Sequence, residues 1–189
     1  YNQEPIDIRG RLYQSFKTYR ELPCDDKGEI LLESIRNYTD TADEGNDYLC
    51  SICYGIYQGE AYILDVVYTK DAMEITEPQI ARMLFENNVK EALIESNNGG
   101  RGFARAVERL IWEIFRTKKV TIKWFHQNQN KLGRILSNST FVMNKIYFPH
   151  NWNDKWPEYY KAMITFQKEG KNKNDDAPDA TTGIAESLS

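Results

Sequence analysis

The sequence predicts an α/β protein with a mixed central sheet, an antiparallel three-stranded meander extended by parallel strands and flanked by helices. Three observations predict it. Strand-like runs at residues 30–41, 48–57 and 60–69 follow one another directly, and the last two are joined by Gln58-Gly59, a pair suited to a tight hairpin turn. Beyond residue 76 helical and strand-like stretches alternate, as in crossover connections between parallel strands. Apolar residues make up 41% and aromatics 13% of the 189 residues, enough to fill one core without disulfides.

Residues 1–29 mix Pro5, Gly10, Pro23 and Gly28 with charges and show no period, so they read as a lead-in whose Leu12, Tyr13, Phe16 and Tyr19 pack on a domain spanning 30–189. In the third strand-like run Tyr62, Leu64, Val66 and Tyr68 alternate with Ile63, Asp65 and Val67, which predicts a strand covered on both faces. Thr76-Glu-Pro-Gln79 has the form of a capping box with proline in the first turn, predicting a helix over 77–88. Residues 91–95 then form a short strand ending in Asn97-Asn98-Gly99-Gly100. Phe103, Val107, Leu110, Ile111 and Ile114 lie on one helical stripe, and Val120, Ile122 and Trp124 alternate as a strand over 120–126. Residues 127–138 and 156–167 read as helices, 140–149 is ambiguous, and a short helix starts near Asp176, with disorder expected in the last few residues.

Composition narrows the function. No apolar run approaches a membrane span and the N-terminal residues lack a signal core, so a soluble, intracellular protein is expected, with no membrane partner. Cys50 and Cys53 fall in a β-branched, aromatic stretch that puts their thiols on opposite faces of a strand, as structural cysteines. With only His126 and His150 besides, zinc has little support. The net charge of −4 conceals a polarised chain. Residues 1–100 carry 9 basic against 19 acidic groups, 101–173 carry 15 against 5, and 174–189 carry none against 4. That split suits a metal site beside a phosphate-binding surface, although two solvated faces of opposite charge produce it equally well.

The acids lie at element edges. Asp40 sits where the first strand-like run gives way to Thr-Ala-Asp-Glu-Gly-Asn-Asp47, Glu95 closes a strand, and Asp175, Asp176 and Asp179 open the last helix. Carboxylates brought together from such positions are hard oxygen ligands for Mg²⁺ or Mn²⁺. Each also has a bland reading: an acidic turn at Asp40, a charged strand end at Glu95, helix capping at Asp176 and Asp179. A calcium loop starting at Asp40 fails on spacing, because Ala42 and Ser51 occupy ligand positions. Asp47 and Asp65 are candidates to support the ligands from behind, Asp65 with the rival reading of a buried hydrogen-bonded acid, and Asp43 reads as a turn residue. Arg101 and Arg105 in a basic helical stripe, Lys123, Asn97 and Asn98 are candidate contacts to a nucleic-acid backbone.

The element order, with Tyr38-Thr-Asp-Thr-Ala-Asp-Glu-Gly-Asn-Asp-Tyr48, Tyr62-Ile-Leu-Asp-Val66, Ile94-Glu-Ser-Asn-Asn-Gly-Gly100 and Asp175-Asp-Ala-Pro-Asp-Ala180, resembles the ribonuclease H-like nucleases, and more narrowly the C-terminal nuclease domain of the large terminase subunit of tailed bacteriophages. The resemblance spans roughly residues 30–185, and Asn2-Gln-Glu-Pro5 resembles that family's link from its motor domain. It implies a metal-dependent endonuclease that cuts concatemeric double-stranded DNA, with Asp40, Glu95 and Asp179 or Asp176 as catalytic metal ligands and Asp175 beside them. Two Mg²⁺ or Mn²⁺ ions about 3.5 to 4 Å apart would serve such a reaction, Asp40 bridging them. It also implies an upstream ATPase domain, the portal and the small terminase subunit as partners, and the cytoplasm of a bacterial host. No Gly-x-x-x-x-Gly-Lys-Ser/Thr phosphate loop is present, so the chain is expected to be an excised nuclease domain or a stand-alone relative. The same fold also serves junction-resolving nucleases, and a non-catalytic DNA or portal docking module would use the acids only as caps and turns.

Overall fold

The computed structural model describes residues 8–42, 47–96 and 99–189. A seven-stranded sheet forms its centre, in the order β1-β7-β4-β3-β2-β5-β6. Three strands make the expected meander: β2 (Ser34–Asp40), β3 (Leu49–Tyr57) and β4 (Glu60–Thr69) pair antiparallel. Gln58 and Gly59, both at positive φ (50° and 76°), turn the chain between β3 and β4; a two-residue hairpin needs that backbone, and glycine adopts it without cost. β5 (Glu91–Ser96) and β6 (Thr121–His126) then add in parallel beside β2.

On the other edge β7 (Ile146–Pro149) pairs parallel with β4, and β1 (Lys17–Tyr19) pairs parallel with β7. The expected boundary at residue 29 therefore separates nothing, because strands on both of its sides belong to one sheet and Cys24 bridges Ile30 across it. Leu12 and Tyr13 are buried and Phe16 stacks edge-on against Phe148 and Trp152, so this segment is core-forming, while the resembling link at residues 2–5 lies outside the described residues.

Side-chain alternation splits the core in two. Tyr38, Cys50, Ile52, Tyr54 and Ile63 face α6 (Pro157–Ile164) and α7 (Asp176–Leu188), while Leu49, Cys53, Ala92 and Ile94 face α1 (Met73–Glu86) and α2 (Gly100–Phe115). The two cysteines are buried and free on opposite faces, as the alternation predicts. In β4 the pairing jumps from Cys53↔Asp65 to Tyr54↔Ile63, leaving Leu64 without a partner. This bulge reverses the phase of the strand, which is why both of its alternating sets looked apolar.

Four further expectations change. α1 starts at Met73, not near residue 77, because Thr76 is fully buried inside the first turn instead of capping it, and Ala72 stands at the cap. Ile114 leaves the apolar stripe of α2 for solvent, and Ala104 joins Phe103, Val107 and Ile111 in the core. The ambiguous stretch resolves into α4 (Ser139–Lys145) and β7, after α3 (Lys131–Ser137) and before α5 (Trp152–Lys155). The disorder expected after the last helix start is absent: α7 is ordered to Leu188, and its residues Asp176 to Ala185 are all buried. Among the described residues no helix is long and apolar enough to cross a membrane.

Candidate metal centre

β2 and β5 run parallel, so their C-terminal ends share one edge of the sheet, and the register pairs Asp40 directly with Glu95. Register partners in a parallel pair point to the same face, here the face covered by α7. Thr41 closes the corner: its backbone N–H donates to the Glu95 carbonyl at 3.1 Å. α7 arrives with its first turns over these strand ends because Gly183 lies flat on the Tyr38 ring, where an added Cβ would fall 2.2 Å from Cζ. That close approach sets Asp179, one turn earlier, against Asp40 and Glu95.

The result is a cluster in which Asp40, Glu95 and Asp179 each offer a carboxylate oxygen within 4.8 Å of the other two. All three are buried, Asp179 completely. Asp40 Oδ2 and Asp179 Oδ2 accept no hydrogen bond, and the Lys131 ammonium stands 3.9 Å and 3.3 Å from them. Buried carboxylate oxygens without donors are costly unless a cation meets them, and a hard-oxygen set of this kind fits Mg²⁺ or Mn²⁺.

Two basic side chains from α3 supply charge in the protein itself. Lys131 Nζ lies 3.3 Å from Asp179 Oδ2, 3.4 Å from both Asp175 Oδ1 and Asp176 Oδ1, and 3.9 Å from Asp40 Oδ2. Arg134 is buried, donates from Nη1 to Asp179 Oδ1 at 2.6 Å, and stands 3.7 Å from Glu95 Oε2. Tyr38, two residues before Asp40 and so on the same face, donates its hydroxyl to Glu95 Oε2.

Burial first, and then the charges of Asp179 and Glu95, push the Asp40 carboxyl well above its usual range against the pull of Lys131. Glu95 is raised to about 8 by burial and then by Asp179, with Tyr38 and Arg134 opposing. For Asp179 burial also acts upward, but Lys131, the neighbouring Asp40 and Arg134 outweigh it and hold the group low. The cluster thus keeps an ionised Asp179 between two acids that resist ionisation until more positive charge arrives.

Of the two helix-start acids, it is Asp179 that joins the cluster. Asp176 stands beside it, accepting the Tyr48 N–H at 3.0 Å, and its carboxyl is raised by burial. Asp175 is half-exposed at the cap of α7 and pairs with Lys131 at 3.4 Å. Asp47 acts on Asp176 by charge.

Asp65 does not belong here. The β4 bulge turns it to the α1 face, where it accepts from Asn87 Nδ2 at 3.0 Å and from the Val66 N–H, so it is a hydrogen-bonded structural acid. The nucleic-acid candidates are also not on one surface. Arg101 and Arg105 ride the exposed side of α2, whereas Lys123, in register with Leu93, faces the α7 side and pairs with Glu91 at 3.4 Å. Asp43, Asn97 and Asn98 lie outside the described residues. A groove of about 340 Å³ between α2 and β6, lined by Arg105, Trp112 and Lys118 among others, shares no residue with the acidic cluster.

Sequence reasoning missed Lys131, Arg134 and Tyr38. The available signals were the spacing of three between the two basic residues, which puts them on one helix face, and the spacing of two between Tyr38 and Asp40 on a strand.

The family model described as Terminase Bacteriophage T7, Ribonuclease H-like domain matches residues 39–147, a span that contains Asp40 and Glu95. A search of curated proteins found no match. Among solved structures, the Mn-soaked human cytomegalovirus terminase nuclease domain aligns with a TM-score of 0.63 at 12% identity, covering 94% of this chain and 92% of that one. The nuclease domain of the large terminase subunit of bacterial virus Sf6 aligns with a TM-score of 0.52 at 10% identity over 86% and 91% of the two chains. The large terminase of a thermophilic bacteriophage, in complex with ATP-gamma-S, aligns with a TM-score of 0.61 at 13% identity, and this chain covers 45% of it. Identities this low show a shared fold.

Proposed function

The chain belongs to the family described as Terminase Bacteriophage T7, Ribonuclease H-like domain, and on that premise we propose that it is the metal-dependent DNA endonuclease of a large terminase subunit, cutting concatemeric phage DNA during genome packaging. A nuclease role in phage DNA packaging is supported by the family match and the terminase folds around it. The observation that carries the finer reading is the buried cluster of Asp40, Glu95 and Asp179 with two carboxylate oxygens that accept no hydrogen bond. Solved relatives agree in kind: the cytomegalovirus domain was soaked with Mn and the Sf6 domain was solved with calcium.

Asp40, Glu95 and Asp179 would hold divalent metal, with Asp176 beside them. Metal held there would supply Lewis-acid activation of a water and charge stabilisation of a departing 3′ oxygen. The chain's own residues do the rest. Tyr38 and Arg134 orient Glu95 and Asp179 on rigid elements, and burial keeps bulk water from the acids. Lys131, a third exposed at the mouth of the cluster, is placed to meet a phosphate. Lys123, on the α7 side of the sheet that carries the cluster, is proposed to meet the duplex by its backbone, largely irrespective of sequence, while Arg101 and Arg105 on the outer side of α2 would need the duplex to pass the other face. The upstream ATPase domain, the portal and the small terminase subunit would be partners, and the site of action the cytoplasm of the bacterial host.

Plasmid cleavage with Mn²⁺ tests this reading. Asp40→Asn should abolish cleavage while the circular dichroism spectrum stays unchanged, because one charge lost from a ligand disturbs the metal more than the fold. Undiminished cleavage by that variant would return Asp40 to an acidic strand end.

A further inference from the structure

Arg134 serves two acids on α7 at once. Its Nε and Nη2 clasp Glu186, at 3.1 Å and 2.5 Å from Oε1, and its Nη1 reaches Asp179 Oδ1 at 2.6 Å. Asp179 and Glu186 are seven residues apart on α7, two turns along one face, so a single guanidinium from α3 spans both. The planar fork of arginine prefers to grip both oxygens of one carboxylate. Here one edge of the guanidinium falls on Glu186, with Nη2 on Oε1 and Nε shared between Oε1 and Oε2 at 3.1 Å and 3.3 Å. Asp179 receives a single bond on Oδ1, so its Oδ2 faces Asp40 without a hydrogen bond, with the Lys131 ammonium 3.3 Å away.

We infer that Glu186 is a positioning residue of the metal centre: by drawing the Arg134 fork to itself, it keeps Asp179 Oδ2 clear of the guanidinium, open to a cation that displaces the Lys131 ammonium, and absorbs positive charge that would otherwise fall on the ligands. The inference rests on the metal reading above. Without Glu186, Arg134 turns its fork onto Asp179, covers Oδ2 and neutralises the ligand. Glu186 touches neither metal nor substrate itself and acts through Arg134.

Calorimetric titration of Mn²⁺ into the intact chain, without DNA, tests it. Glu186→Gln should weaken Mn²⁺ binding on the order of tenfold, the usual scale for a partner standing behind a ligand. Its metal-free melting temperature should barely move, because Glu186 is a third exposed. The double variant Arg134→Lys with Glu186→Gln should regain most of the lost affinity, since an ammonium keeps a single bond to Asp179 but has no fork to cover Oδ2. Glu186→Gln affinity within twofold of the parent overturns the inference and leaves Glu186 a staple between α3 and α7. A weakened single variant that the double variant fails to rescue also overturns it, because the loss then does not pass through Arg134. A parent that binds no Mn²⁺ overturns the metal reading itself, and this inference with it.

Discussion

Asp40 and Glu95 are register partners across the parallel β2–β5 pair, so the spacing of two members of the acidic cluster is set by backbone hydrogen bonds and not by side-chain choice. The third member, Asp179, comes from a helix, placed by the contact of Gly183 with Tyr38 and held by the bond from Arg134. Two acids are therefore fixed by the sheet and one by a helix that must dock correctly.

Divalent metal should stabilise the folded chain. A ligand that binds only the native state adds about 2.7 kcal/mol at a hundred times its Kd, so thermal melting with excess Mn²⁺ should show a clear upward shift. Asp179→Asn should remove most of that shift. An equal shift in parent and variant would mean that Mn²⁺ binds elsewhere.

Metal-free stability should fall as pH rises. Glu95 has an ordinary value of 4.5 and is raised to about 8 in the fold, so between these values the native state holds a proton that the unfolded chain has released. Its contribution is complete below pH 4.5 and lost as pH climbs through 8. Asp40, also raised, acts in the same sense, while Asp179, held low, costs stability only in more acidic solution. Melting in chelator across pH 5 to 9 should slope downward, and Glu95→Gln should flatten the slope.

Lengthening Gly183 by one methyl should disable the site without touching an acid. In Gly183→Ala the new Cβ meets the Tyr38 ring, so α7 must lift or the ring must turn, and either motion separates Asp179 from Glu95. The overpacking should cost about 1 to 3 kcal/mol. Melting would show the loss of stability, and Mn²⁺ titration should show affinity falling further than that of a surface alanine variant.

Removing Lys131 should divide apo and metal-bound behaviour. Lys131→Met takes a cation from beside four carboxylates, so the metal-free chain should melt lower. With that ammonium gone, Mn²⁺ should bind severalfold more tightly and restore more stability than it gives the parent. Weaker Mn²⁺ binding by the variant would show that Lys131 assists the metal instead of competing with it.

Much of this was legible in the sequence, for local reasons. The meander announced itself through alternation and the Gln58-Gly59 turn, and Asp40 and Glu95 were visible as acids at strand ends. β1 and β7 were not, because short edge strands carry too few residues for a period and exist only through their parallel partner. For Asp65 the sequence favoured a hydrogen-bonded structural acid, which the bond from Asn87 bears out, but it kept a supporting role open because the bulge that reverses the β4 phase leaves no mark in the sequence. Lys131 and Arg134 were hidden because their role depends on where α3 lies against α7. Choosing Asp179 over Asp176 needed the same tertiary fact.

The order of the ligands along the chain also sets a time of onset. During synthesis β2 and β5 emerge first with Asp40 and Glu95, Lys131 and Arg134 come later, and Asp179 arrives with α7. A nascent chain still lacking α7 holds two of the three acids and no closed metal seat. On the proposed function, a nascent chain gains the capacity to cut DNA only once α7 has been made and seats against β2.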